Sequence, residues 1–145
     1  MENQVNDLNV LLADLNVFYR KLQNYHWNIV GKDFFAIHEK LEEYYDEINE
    51  QIDEVAEHIL MLGGEPLGTM QDYLNKACIK EAKNEKIQDN IMFENVIKDL
   101  ETLLKKVTDI KKKADENSNY ATSSLMDEYI SSYIKKLWML KQMMQ

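Results

Sequence analysis

Apolar side chains recur along the first part of the chain at Val5, Leu8, Leu11, Leu15, Phe18, Leu22 and Tyr25. Steps of three and four residues bring them to one helix face, which predicts a helix from about residue 4 to 28. Gly31 breaks the pattern, and Asp33 stands where the next helix needs an N-cap. The series Ile37, Leu41, Tyr44, Ile48, Ile52, Val55, Ile59 and Leu62 predicts that second long helix. It ends at "GGEP", where Gly63 can take a left-handed cap and Pro66 forbids continuation. The stretch "GTMQDYLNKA" predicts a short helix capped by Thr69. Ile87, Ile91, Ile97, Leu100, Leu104, Val107 and Ile110, interrupted at Glu94, predict a third long helix from Asn84 to about Lys113. The polar run "KKKADENSNYATSS" is expected as the turn before a last helix carrying Leu125, Tyr129, Tyr133, Leu137 and Leu140.

Four long helices whose longest connection lies in the middle specify an all-α, ferritin-like four-helix bundle with a short extra helix in the crossover. The chain's 145 residues fit one domain spanning 1–145, and one proline and four glycines leave little punctuation for a protein of many strands. No internal repeat or flexible linker divides it.

Charge and cysteine use narrow the chemistry. A net charge of -9 opposes a protein that grips phosphate backbones, whose affinity comes from Lys and Arg, and favours metal cations as partners. No apolar run approaches the roughly 20 residues needed to span a bilayer, so no membrane partner is expected. The opening "MENQVNDLNVLLADL" lacks the basic start and apolar run of a signal peptide, and the single Cys78 forms no intrachain disulfide. The expectation is a cytoplasmic protein.

Beside its core stripe the second helix carries His38, Glu42, Asp53 and Glu57. At 100° per residue, the last three lie about 40°, 60° and 100° from His38, so all four share a face. Imidazole nitrogen and carboxylate oxygen together suit iron, zinc or manganese. Each i, i+4 pair can aim two donors at one ion, but the pair centres are about 22 Å apart along the axis, so one helix cannot close a site. If two such helices cross antiparallel about a two-fold axis between residues 47 and 48, residue 38 faces 57 and 42 faces 53. Each of two sites then takes His38 and Glu42 from one chain and Asp53 and Glu57 from the other. His26, at the end of the first helix, can add a fifth ligand. The bland alternative is chance: acidic residues are abundant here, and Glu39, Glu43, Asp46, Glu47, Glu50 and Glu54 read as a solvated face.

The stretch "YHWNIVGKDFFAIHEKLEEYYDEINEQIDEVAEHILMLGGEPLGTMQDYL" resembles the Dps family, the DNA-binding proteins from starved cells, which are mini-ferritins; "WML" near residue 138 is similar to the family's last helix. The family's ferroxidase signature, His, His 12 on, a carboxylate 4 on, Asp 11 on and Glu 4 on, falls on His26, His38, Glu42, Asp53 and Glu57. The resemblance implies a hollow homo-dodecamer built from two-fold dimers. It oxidises iron(II) to iron(III) at intersubunit sites with hydrogen peroxide, or O2 more slowly, and stores ferric mineral, protecting against oxidative damage. Trp27 matches a family tryptophan near the site that intercepts stray oxidising equivalents; core packing is its other reading. Asp115, Glu116, Asp127 and Glu128 are the carboxylates available for the family's acidic iron-entry pore.

The chain also departs from the family. Glu42 stands where Asp is frequent, and the Lys-rich N-terminal tail of DNA-binding members is absent. Lys111, Lys112 and Lys113 read as partners of a helix dipole, so DNA binding is expected to be weak or absent. His58, four residues after Glu54, reads as a solvated histidine. Two rival readings stay open: a non-catalytic DNA-compacting or structural shell with a metal-braced dimer interface, and a site where zinc replaces iron without redox turnover. A rubrerythrin-type di-iron bundle is disfavoured, because neither His38 nor His58 has a Glu three residues before it.

Overall fold

The structure, a computed structural model, describes all 145 residues. The periodic apolar stripes become α1 (Glu2–Asn28), α2 (Phe34–Met61), α4 (Asp89–Glu116) and α5 (Tyr120–Met143), with α3 (Met70–Lys76) lying in the crossover between α2 and α4. Packing is densest between α1 and α2 and between α4 and α5, and α1 also meets α3 and α4. This is an up-and-down pair of hairpins joined by a long connection, the ferritin-like four-helix bundle with an extra short helix.

The core is one apolar cluster to which every long helix contributes, among them Leu11, Leu15, Phe18, Ile48, Val55, Val96, Leu100, Tyr133 and Leu137. Gly63 adopts φ +83° after α2, as a left-handed cap requires. The Thr69 hydroxyl accepts a hydrogen bond from the Asp72 amide and caps α3. Asp33 occupies the N-cap position of α2, although its side chain makes no capping hydrogen bond.

Three sequence expectations need correction. The third long helix begins at Asp89, not Asn84: Ile87 and Gln88 form β2, which pairs in parallel with β1 (Ile29–Val30). Ile87 keeps helical spacing with Ile91, but its backbone instead ties the start of α4 to the turn after α1. Ile91 is 47% exposed, and the buried face of α4 runs through Met92, Phe93, Val96, Leu100, Leu103, Val107 and Ile110. Finally, α4 continues to Glu116 and α5 starts at Tyr120, so the turn is Asn117 to Asn119 and "KKKADE" is helical. The turn closes through Ser118 at φ 58° and the bond from the Asn119 amide to the Ala114 carbonyl.

The crossover is pinned from inside the bundle. Asp14, fully buried on α1, accepts hydrogen bonds at one carboxylate oxygen from the amides of Cys78 (2.6 Å) and Ile79 (2.9 Å). Its other oxygen lies 3.5 Å from the Lys106 ammonium of α4, which partly offsets the cost of burying the charge. A second interior pair, Lys21 and Asp99 at 2.8 Å, ties α1 to α4.

Candidate metal centre

The helical hairpin of α1 and α2 brings His26 and His38 face to face. Their rings stack with centroids 3.6 Å apart and planes 9° from parallel. The Nδ1 of His26 lies 2.6 Å from the His38 carbonyl oxygen, and the Nδ1 of His38 lies 2.7 Å from the His26 carbonyl oxygen. A carbonyl oxygen only accepts, so each Nδ1 carries the hydrogen and donates it. In the neutral ring this selects the Nδ1–H tautomer, in which the Nε2 lone pair is the one available to a metal. The reciprocal bonds also set the approach of the two helices, with the β1–β2 pairing closing the loop between them.

The Glu42 carboxylate, one turn beyond His38, lies 3.7 Å from the His26 Nε2. His26 is buried and His38 half-buried, whereas Glu42, Asp53 and Glu57 are exposed. Phe34 stacks against His38 at 4.8 Å, and Tyr45 meets His26 at 5.3 Å with rings near perpendicular. The result is two imidazoles and one nearby carboxylate at the edge of an aromatic wall, an incomplete donor set open on the side where Glu42 faces solvent.

Asp53 and Glu57 do not join this group. They sit further along α2, their pair centre about 22 Å from that of His38 and Glu42 by helical rise. No three His, Cys, Asp or Glu side chains within one chain converge to hold a metal.

Other predicted residues fall as follows. Trp27 is 54% exposed, with the Arg20 guanidinium carbon 5.9 Å from its ring centroid, which removes the core-packing reading. Asp115 and Asp127 flank the Lys111 ammonium at 3.5 and 3.1 Å, and Glu116 and Glu128 are exposed nearby in sequence. Lys113 pairs with Asp7 at 3.1 Å, so two cations of the lysine run already have acidic partners.

His58 corrects the reading as a solvated side chain: it is buried, its Nε2 2.8 Å from the Thr122 hydroxyl of α5, and burial holds its pKa below the ordinary value. The supposed solvated face of α2 is likewise partly engaged. Glu54 accepts from the Tyr129 hydroxyl at 2.8 Å, and Glu47 accepts from Ser132 at 2.6 Å and from the nearly buried Lys136. With Tyr133, whose hydroxyl donates to Gln51, these α5 partners stand at i, i+3, i+4 and i+7, a polar seam inside an otherwise apolar helix face.

Comparisons with known proteins agree with this architecture. The ferritin-like domain family matches residues 5–145. DNA protection during starvation protein 2 of Bacillus anthracis is 38% identical over 134 residues, covering 92% of this chain and 91% of its own length. General stress protein 20U of Bacillus subtilis (strain 168) is 36% identical over 140 residues, 97% of this chain and 96% of that protein. The crystal structure of the Dps protein from Vibrio cholerae O1, described as a member of a broad superfamily of ferritin-like diiron-carboxylate proteins, superposes with a TM-score of 0.96 at 38% identity, covering 99% and 90% of the two chains. A bundle of this topology, matched over nearly its whole length in both sequence and structure, places the chain in the Dps family of ferritin-like proteins.

Proposed function

We propose that this protein, a single ferritin-like unit over residues 1–145, oxidises ferrous iron at sites shared between two subunits and retains the ferric product inside a hollow homo-oligomer, a dodecamer. The observation that carries this reading is the reciprocal imidazole–carbonyl pair of His26 and His38. It spends both Nδ1 atoms on backbone and leaves two Nε2 atoms as donors, that of His26 3.7 Å from the Glu42 carboxylate, a nitrogen and oxygen set that suits ferrous iron, and zinc as a competitor. Asp53 and Glu57 of the partner subunit complete the set if two α2 helices cross antiparallel near residues 47 and 48. That arrangement explains why ligand pairs so far apart share one helix face.

The substrate iron is held by the imidazoles and carboxylates, and the oxidant is hydrogen peroxide, with O2 slower. Two ferrous ions give one electron each, the peroxide O–O bond breaks, and the two oxygens leave as water or enter ferric oxide. No protein nucleophile takes part in this cycle. Pore carboxylates Asp115, Glu116, Asp127 and Glu128 offer iron an entry route, whereas Trp27 lies out at the surface against Arg20. Protection of DNA, which the relatives' names describe, follows here from removing iron and peroxide together. The acidic chain and the paired Lys111 and Lys113 offer little to a phosphate backbone.

The test is anaerobic loading with iron(II), then addition of one peroxide for every two ferrous ions. The expected result is a prompt ferric absorbance with iron co-eluting with a particle far larger than a dimer. His38→Ala should slow oxidation on the order of tenfold or more, as expected for loss of a metal-site group. Oxidation at the buffer rate, with iron precipitating free of protein, would overturn the proposal.

A further inference from the structure

The ring that touches the buried ligand imidazole is Tyr45. It meets His26 at a centroid distance of 5.3 Å and an interplanar angle of 82°, and on to Tyr19 the distance is 5.8 Å at 85°. With His38 stacked on His26 at 3.6 Å, four rings run in unbroken contact from the metal ligands: His38, His26, Tyr45, Tyr19. Tyr45 lies three residues beyond Glu42, so one turn of α2 supplies both a ligand and this neighbour. Tyr19 belongs to α1, and its hydroxyl oxygen accepts a hydrogen bond from the Gln23 amide nitrogen at 3.2 Å. Trp27 takes no part in the run and lies out beneath Arg20.

From this geometry we propose that Tyr45 is the first electron donor to one-electron oxidants formed at the metal site, with Tyr19 as the next ring outward. The proposal rests on the ferroxidase reading above. When a site holds one ferrous ion instead of two, peroxide can be reduced only by one electron. The iron becomes ferric, the O–O bond breaks, and one hydroxide and one hydroxyl radical form. The phenol of Tyr45 gives that radical a hydrogen atom: its O–H bond breaks, water forms, and the unpaired electron stays on the ring. Tyr19 then passes an electron and a proton to Tyr45, restoring the first phenol and carrying the radical one ring further from the site. Both side chains are partly buried, which limits their reaction with the wrong partners, and Tyr45 keeps its ring against His26.

The experiment is freeze-quench electron paramagnetic resonance on the wild-type oligomer, loaded anaerobically with less than one ferrous ion per site and mixed with peroxide. Peptide mass spectrometry then locates oxidised side chains in the same samples. The expected result is a tyrosyl signal lost in Tyr45→Phe, which keeps the ring against His26 and removes only the hydroxyl, and retained in Trp27→Phe. Tyr19→Phe should lengthen the life of the first radical and shift covalent oxidation onto residue 45. A tyrosyl signal undiminished by Tyr45→Phe, or a tryptophanyl signal abolished by Trp27→Phe, would overturn the assignment. So would iron oxidation at full rate with no protein radical in the wild type. Absence of any protein-dependent iron oxidation in the wild type would instead sink the ferroxidase reading beneath it.

Discussion

The side chains that decide this molecule's chemistry act by what they are denied as much as by what they touch. His26 and His38 each spend Nδ1 on the other's backbone, so only Nε2 remains to bind. His58, the third histidine, spends its Nε2 on Thr122 in a buried setting, which suits holding α2 to α5 and leaves it poorly placed as a surface ligand. Replacing it with alanine should cost roughly 2 kcal/mol, from a cavity and an unpaired buried Thr122 hydroxyl. The drop would be read from the denaturant midpoint. Glu47 makes a second residue-scale prediction. Burial alone would raise its pKa, but the hydrogen bonds from Lys136 and Ser132 and the nearby lysine charges outweigh burial and hold it below its ordinary 4.5. A carboxyl depressed in the folded state adds stability that is complete above its unfolded pKa and lost as pH falls through the folded value. The melting temperature should therefore fall on acidification below about pH 4.5, and Glu47→Gln should flatten that acid limb while lowering the plateau at neutral pH.

At the scale of elements, one interior carboxylate anchors the far part of the crossover. Asp14 holds the amides of Cys78 and Ile79, so Asp14→Ala strands two donors and frees Lys106 of its buried counterion. A loss on the order of 3 kcal/mol is expected, with amide hydrogen exchange accelerated at residues 78 and 79. Unchanged exchange there would show that the segment is held by something else. The sequence made the long helices legible because each buries one continuous stripe, and a stripe has a period. It made the neighbourhood of His26, His38 and Glu42 legible as well, since one short turn and one helical step bring them together, while the joining of Asp53 and Glu57 to them remains part of the proposal. The start of α4 was not legible: Ile87 continues the helical spacing although its backbone pairs with Ile29, about 58 residues away, and nothing local in the chain records that partner. Nor were the roles of His58, Glu47 and Glu54. α2 packs against α1 and also reaches α5, so a polar residue off the main stripe can equally face water or a hydroxyl donated 64 to 85 residues downstream.

At the scale of the whole molecule, the division of labour between the two hairpins is uneven. Every candidate iron ligand, and both tyrosines of the proposed relay, lies on α1 or α2, while α4 and α5 supply the covering layer and the carboxylates of the candidate pore. The long link between the hairpins meets the bundle through Asn9, Asp14 and the buried Ile79, whereas Lys80, Lys83 and Lys86 along it are exposed. Cutting at the exposed residues 83–86 removes covalent continuity without removing a core contact. A circular permutant with new ends at Asn84, its old termini joined by a flexible linker, should assemble and oxidise iron at a rate within about threefold of the parent, because loops at exposed tips tolerate such reconnection. Failure to assemble would mean that the link orders the subunit in ways its hydrogen bonds do not reveal. The buried hook of Asp14 thus works as a clasp between a reactive half and a sheltering half. The chain resembles a locket whose two leaves close on one shared core, with the strap between them fastened from inside.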